Sequence, residues 1–200
     1  MRPKLSLCLS FLFLLLFSTH CLAGDPPDRE IRVRSVSVPG KEMPKVVADA
    51  IIDAPPAKLW AILSRCAGYA GTLPSISASK ELSRSGSLSA GTEKVRCEMT
   101  VDLPWPLDDL SSISIARHRR LPKGGFERSW TLESGDYDYI DGSWRLEPRA
   151  DGRKTYARYT LLVQPKTRLP DLIKRAAQKR SIPKLFRVLR TLVEAERVDD

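Results

Sequence analysis

The sequence predicts an α+β fold in which a curved antiparallel β-sheet wraps around a long C-terminal helix, with short helices after the first strand. Three observations carry this. Residues 46–53 read as a strand that Pro55 and Pro56 stop and turn into a helix; residues 75–163 keep an apolar period of two; and after Gln164 and Pro165 the period returns to 3.6 as far as Val193. One terminal helix must cover one face of so long a meander, and a sheet bent around a helix encloses space.

The composition is that of an ordinary globular chain: 200 residues, 42% hydrophobic, 28% charged, formal net charge +9. The first segment stands apart. Arg2 and Lys4 precede an almost unbroken Leu, Phe, Ser and Cys run over 5–17, a basic start followed by an apolar stretch. This is the pattern of a secretory signal peptide, with Cys21 and Ala23 at the −3 and −1 positions of a cut near Ala23. The run is shorter than the ~20 residues a membrane-spanning helix needs. Lipidation at Cys21 is a competing reading, which His20 fits poorly. The expected organisation is a signal peptide over 1–23, a polar lead over 24–44 and one domain over 45–195, in an exported protein, periplasmic or secreted. Losing 23 residues and two cations from 200 residues at +9 leaves 177 residues at +7. Cys8 and Cys21 leave with the leader. Cys66 and Cys97 remain, in a compartment where they either pair as a disulfide or sit as two small buried hydrophobes.

Within the lead, 31–38 alternates and reads as an edge strand. After the strand at 46–53, residues 57–65 form a short helix whose apolar stripe is Leu59, Trp60, Ile62 and Leu63, and Gly68, Gly71 and Pro74 break up a second helical turn around Tyr69. Six strands follow over 76–82, 93–103, 111–117, 126–133, 139–147 and 155–163, separated by turn formers such as Ser85-Gly86, Lys123-Gly124-Gly125, Ser134-Gly135-Asp136 and Asp151-Gly152. The final helix has an apolar face of Leu169, Leu172, Ile173, Ala176, Leu185, Phe186, Leu189, Leu192 and Val193. Pro183 is expected to kink it or divide it into two helices.

The residues 52–63 (IDAPPAKLWAIL), 103–107 (LPWPL), 142–148 (GSWRLEP), 155–160 (TYARYT) and 182–190 (IPKLFRVLR) occur in an order that resembles the START-related lipid-transfer and polyketide-cyclase superfamily (SRPBCC, the helix-grip fold), over about 45–193. START domains often place an Arg-Asp pair after the Pro-Trp-Pro-Leu-like segment; here Asp108-Asp109 stands instead, so no role of that arginine carries over. The resemblance implies a hydrophobic cavity between sheet and C-terminal helix, holding a lipid, sterol, quinone or polyketide, with cofactor-free cyclisation or dehydration in a minority of members. Alternation independently turns Val95, Cys97, Met99 and Val101 to one face, and likewise Phe126, Trp130 and Leu132, Trp144 and Leu146, and Ala157, Tyr159 and Leu161. The candidate cavity residues are Val95, Met99, Trp130, Trp144, Leu146, Tyr159 and Leu161 on strands, and Leu172, Ala176 and Leu189 on the helix. Trp130, Trp144 and Tyr159 add polar tips able to orient an apolar ligand. The segments 69–74 and 103–109, rich in Gly and Pro, are candidate gates.

Catalytic chemistry finds little support. His118 is the one histidine left after removal of the leader, and among Arg117, Arg119 and Arg120 it reads as part of a solvated loop. No Gly-x-Ser-x-Gly elbow, Cys-x-x-Cys pair, phosphate-cradling loop or dinucleotide fingerprint occurs, and Asp136, Asp138 and Asp141 lack the spacing of a calcium loop. No metal or cofactor is expected. A cyclase could draw on Tyr159, Arg145 and Asp102, but alternation from Trp144 faces Arg145 outward, and a carrier is the favoured reading over the enzyme. Lys174, Arg175, Lys179, Arg180, Lys184, Arg187 and Arg190 give the last helix a basic side, suited either to solvent or to transient contact with an anionic membrane. No aromatic platform for nucleic acid accompanies them.

Overall fold

Among the described residues the polarity patterns are realised in eight strands and two α-helices. The computed structural model describes residues 26, 30–103, 105 and 107–195; the expected signal peptide over 1–23, together with Pro104 and Pro106, lies outside the described residues. In order, β1 (Ile31–Val36) and β2 (Lys45–Ile52) are followed by helix α1 (Pro56–Leu63) and a 3-10 turn (Cys66–Gly68). Then come β3 (Ile76–Gly86), β4 (Thr92–Val101), β5 (Leu110–Arg120), β6 (Phe126–Gly135), β7 (Tyr137–Arg149) and β8 (Lys154–Pro165), and α2 (Asp171–Ala195) follows. One antiparallel sheet has the order β1-β2-β8-β7-β6-β5-β4-β3, so the chain leaves β2 and reaches the far edge at β3 by way of α1. Register shifts within β3–β4 and β5–β6 add local twist and bend to the strands.

Local chemistry explains the elements. Pro56 occupies the first turn of α1, where its missing N–H costs nothing, and Leu59, Trp60 and Leu63 form its buried face. Gly135 has φ +130°, and a Cβ there would lie 2.3 Å from the Ser111 carbonyl oxygen, so the β6–β7 turn requires glycine. Gly142 is needed for a different reason: a Cβ would meet the Trp130 ring at 2.2 Å, so this indole lies against bare backbone.

The expected inward faces are found on β4, β6, β7 and β8 where the register is regular, while β2 is buried almost throughout, and coverage of the inner face is uneven. At one end of the sheet Val95, Ala116, Phe126, Leu146 and Ala157 are buried under α1 and the second half of α2, which contributes Ile182, Phe186, Leu189 and Val193. Trp144 packs on Phe186 and Tyr159, with ring centroids 5.2 and 4.6 Å apart. On the outer face Asp49, nearly inaccessible on β2, accepts from Arg158 (2.6 Å), Tyr156 (2.7 Å) and Arg34 (2.7 Å). Burial raises its pKa, but these hydrogen bonds and the Arg158 charge outweigh it and hold the carboxyl below its usual range.

Three expectations are corrected. Pro183 does not divide the last helix: it lies inside α2, which is continuous from 171 to 195. Leu172 and Ala176 do not face the sheet: Leu172 is 79% exposed, and Ala176 and Ile173 are also exposed. The inward stripe of α2 runs through Gln178, Ile182, Phe186, Leu189 and Val193, at spacings of three and four. Continued backward by four it reaches Lys174, which places Leu172 and Ala176 on the opposite side. Finally, His118 is not in a solvated loop. It belongs to β5 and is fully buried, because alternation turns it inward while Arg117 and Arg119 point out.

Candidate functional site

Under the first half of α2 the inward strip of the sheet is apolar yet only partly covered. Met99, Val101, Trp130, Leu132, Ile140, Leu161 and Val163 are all intermediate in exposure, in contrast to the filled end. The α2 residues turned toward this strip are polar: Gln178 donates to the Leu161 carbonyl (3.5 Å), and the nearly buried Lys174 ammonium pairs with Asp171 (2.7 Å). The result is a trough with an apolar, partly covered floor faced by a polar stretch of α2.

Of the candidate residues, Met99, Trp130 and Leu161 line this trough. Tyr159 borders it, 6.0 Å from Trp130 between ring centroids. Val95, Trp144, Leu146 and Leu189 belong to the filled end, and Leu172 and Ala176 are outside. Tyr69, from the segment after the 3-10 turn, is buried, and its hydroxyl donates to the Leu63 carbonyl. The proposed gate at 69–74 thus contributes an interior side chain. On the other gate Trp105 is 92% exposed. Cys66 and Cys97 form a disulfide with Cα atoms 6.2 Å apart, tying the turn after α1 to β4.

Between filled end and trough stands a residue the sequence reading passed over, Arg128, which is 2% exposed. Its Nη1 donates to the Leu63 carbonyl (3.1 Å), at the C-terminal end of α1 where carbonyls lack helical partners, and lies 3.4 Å from His118 Nε2. Nη2 reaches Cys97 Sγ at 3.7 Å, and the guanidinium sits 5.5 and 5.7 Å from the Tyr69 and Trp130 rings. The available signal was its parity with Phe126, Trp130 and Leu132: a charge on an apolar face.

A polar chain connects this interior to the surface. His118 Nδ1 lies 2.8 Å from Glu93, which pairs with Arg84, and Arg84 also holds Glu81 at 2.6 Å. Trp60 stacks on Phe126 and meets His118 edge-on. Burial, reinforced by the Arg128 charge, pushes His118 down from 6.5 to about 4, against the pull of Glu93. The imidazole is therefore neutral at pH 7; Nδ1–H donates to Glu93, which leaves Nε2 to accept from Arg128. Above this chain an open cleft of about 740 Å³ lies between α1 and the β3–β4 hairpin, lined by Trp60, Arg65, Glu81, Arg84, Leu88 and Glu93 among others. Its charged rim separates it in character from the trough.

The depressed histidine has a consequence for stability. Between pH 6.5 and about 4 the unfolded chain binds a proton that the folded chain refuses, so this stability is complete above 6.5 and drains as the pH falls to 4. The expected loss is on the order of 3 kcal/mol. In urea titrations from pH 7 to 4.5, wild type should lose stability more steeply than His118→Gln; parallel profiles would remove His118 from this role.

Asp102, Arg145 and Tyr159 are not brought together. Tyr159 is inside, Arg145 is on the outer face paired with Glu127 (3.3 Å) and Glu147 (2.6 Å), and Asp102 is exposed at the end of β4.

A bent antiparallel sheet gripping a C-terminal helix over a partly open apolar floor defines a START-like domain of the helix-grip fold. The chain belongs to the family described as "Polyketide cyclase / dehydrase and lipid transport", which it matches over residues 52–190. Solved structures agree on the fold. A STAR-related lipid transfer protein from Xanthomonas axonopodis is 16% identical with a TM-score of 0.70, covering 86% of this chain and 97% of that one. Human StAR-related lipid transfer protein 5 is 9% identical at 0.68 (87% and 86%), and the Zhui aromatase/cyclase from Streptomyces 17% identical at 0.52 (86% and 97%). Comparison with curated proteins by sequence found no match.

Proposed function

We propose that this chain is an exported carrier that holds a lipid or similar hydrophobic molecule in the trough between the sheet and the first half of α2. The observation that carries this reading is the partly covered apolar strip of Met99, Trp130, Leu132 and Leu161 beneath a helix that turns polar residues toward it. Burial of each CH₂ contributes about 0.8 kcal/mol, so a chain of ten to sixteen carbons gains enough to offset the cost of association. Similar folds in proteins named for lipid transfer support the same class of ligand. Carriage is favoured over cyclisation because the interior phenols of Tyr69 and Tyr159 are pushed up by burial and stay protonated, and His118 is held between Glu93 and Arg128. The Cys66–Cys97 disulfide supports export, since reducing compartments disfavour such bonds.

The test is native mass spectrometry of the protein purified from its own host, with organic extraction, followed by incubation with lipid vesicles. A near-stoichiometric apolar ligand, co-purified or taken up, is expected. An empty protein that takes up nothing overturns the reading.

Delivery would use the outer side of α2, where exposed Leu172 and Ile173 adjoin Arg175, Lys179 and Arg180. An apolar pair beside cations fits an anionic bilayer surface. Among the described residues no helix is long and apolar enough to cross a membrane. Leu172→Ser with Ile173→Ser should weaken association with phosphatidylglycerol vesicles about tenfold, as roughly 1–2 kcal/mol of apolar burial is lost. Unchanged binding would remove this face from delivery.

A further inference from the structure

We propose that Arg128 and Ser114 form the headgroup site of the trough, and that the ligand is an amphiphile ending in a carboxylate, of the fatty-acid class. This rests on the carrier reading above and specifies its cargo. Among the described residues Arg128 is the buried side chain with a permanent positive charge, and its contacts are a carbonyl, a neutral imidazole, a disulfide sulfur and two aromatic rings. None is a carboxylate. The carboxylate of Glu93 lies across the His118 ring, bound to its other nitrogen. The other cation turned toward the trough, Lys174, is taken by Asp171. A buried guanidinium without a contacting anion is costly, and it retains N–H donors in a fork suited to a carboxylate.

Ser114 supplies the independent observation. Its side chain is 1% exposed, and its hydroxyl has no hydrogen-bond partner. The strand register sets Ser114 directly opposite Cys97, whose sulfur Arg128 touches, so the unused hydroxyl and the guanidinium flank the same cysteine on the inner face. On the same face stand Trp130, Leu132 and Met99, apolar and intermediate in exposure, where a chain would lie. A carboxylate brings one negative charge to one cation, and its second oxygen can accept from Ser114. A phosphate monoester would bring nearly two charges into a site with one, and an alcohol or ester none.

The test compares ligands of one chain length on the intact protein: palmitate, hexadecanol, methyl palmitate and hexadecyl phosphate, by tryptophan fluorescence and displacement. Palmitate should bind roughly tenfold to a hundredfold more tightly than hexadecanol or methyl palmitate, the gain of a charge-assisted hydrogen bond. Arg128→Met should abolish that preference while still taking up hexadecanol, and Ser114→Ala should reduce it severalfold. Equal affinity of wild type for palmitate and hexadecanol overturns the headgroup site and leaves the carrier reading standing. A preference for hexadecyl phosphate overturns the carboxylate assignment. Uptake of none of the four overturns the headgroup site, and the carrier reading falls with it only if the protein also purifies empty and takes up nothing from lipid vesicles. If Arg128→Met does not fold, as judged by circular dichroism, the ligand series on wild type decides alone.

Discussion

Phe186→Ala is expected to be among the most damaging single substitutions in the domain, costing about 3–5 kcal/mol. Phe186 is fully buried in the inward stripe of α2, packed at a tilt against Trp144 and flanked along the helix by Ile182 and Leu189. Its truncation would leave a void that the sheet cannot close without repacking Trp144 and Tyr159, and these aromatics anchor the filled end that fixes where the trough begins. Against a total stability of about 5–15 kcal/mol this is a large fraction, and for a domain of this length it corresponds to a fall in Tm of roughly 6–20 °C. Chemical and thermal denaturation measure it directly. A loss under about 1 kcal/mol would mean that the second half of α2 does not seal the sheet through this residue.

Removal of the Cys66–Cys97 disulfide should be nearly as costly. The bond closes a loop across a sequence separation of 31 residues, and constraint of the unfolded chain over that length is worth about 3–4 kcal/mol. It also holds the turn that delivers Tyr69 to the interior and the sulfur that Arg128 contacts. Three measurements check the assignment together: the denaturation midpoint of wild type, of wild type in reductant, and of Cys66→Ser with Cys97→Ser. Reductant should lower the wild-type midpoint to near that of the double variant and leave the latter unmoved. Indifference of wild type to reductant, with two thiols titratable in the folded protein, would show that the cysteines are two small buried hydrophobes.

The fold was legible in the sequence because its signals are local and repeated. Alternation through Val95, Cys97 and Met99, through Trp144 and Leu146, and through Ala157, Tyr159 and Leu161 has one solution on a one-sided sheet, and the Pro55-Pro56 stop and the glycine turns mark where each element ends. Strand ends moved by a few residues, as at β5, which continues through His118. The site was legible only in part. An apolar face shows which residues point inward but not how closely the opposing element approaches, so Trp144 and Leu146, read as cavity residues, lie in the filled end, while Trp130 and Leu161 remain half-open.

Period and turn chemistry are properties of neighbouring residues, so the order of elements, the inner face of every strand with a clear apolar parity and the existence of a helix to cover it could all be read from the chain alone. The rotation of α2 about its axis depends instead on long-range packing. Two apolar stripes compete along its first half, and the packing of Ile182, Phe186, Leu189 and Val193 fixes the phase that turns Lys174 and Gln178 inward and leaves Leu172 and Ala176 outside. Long-range contacts also set the polar interior. The weakly apolar run of Ser112, Ser114 and Ala116 gives no facing for β5, and partners separated by 10 to 65 residues, namely Arg128, Glu93 and the Leu63 carbonyl, satisfy His118 and Arg128 only once the strands are side by side.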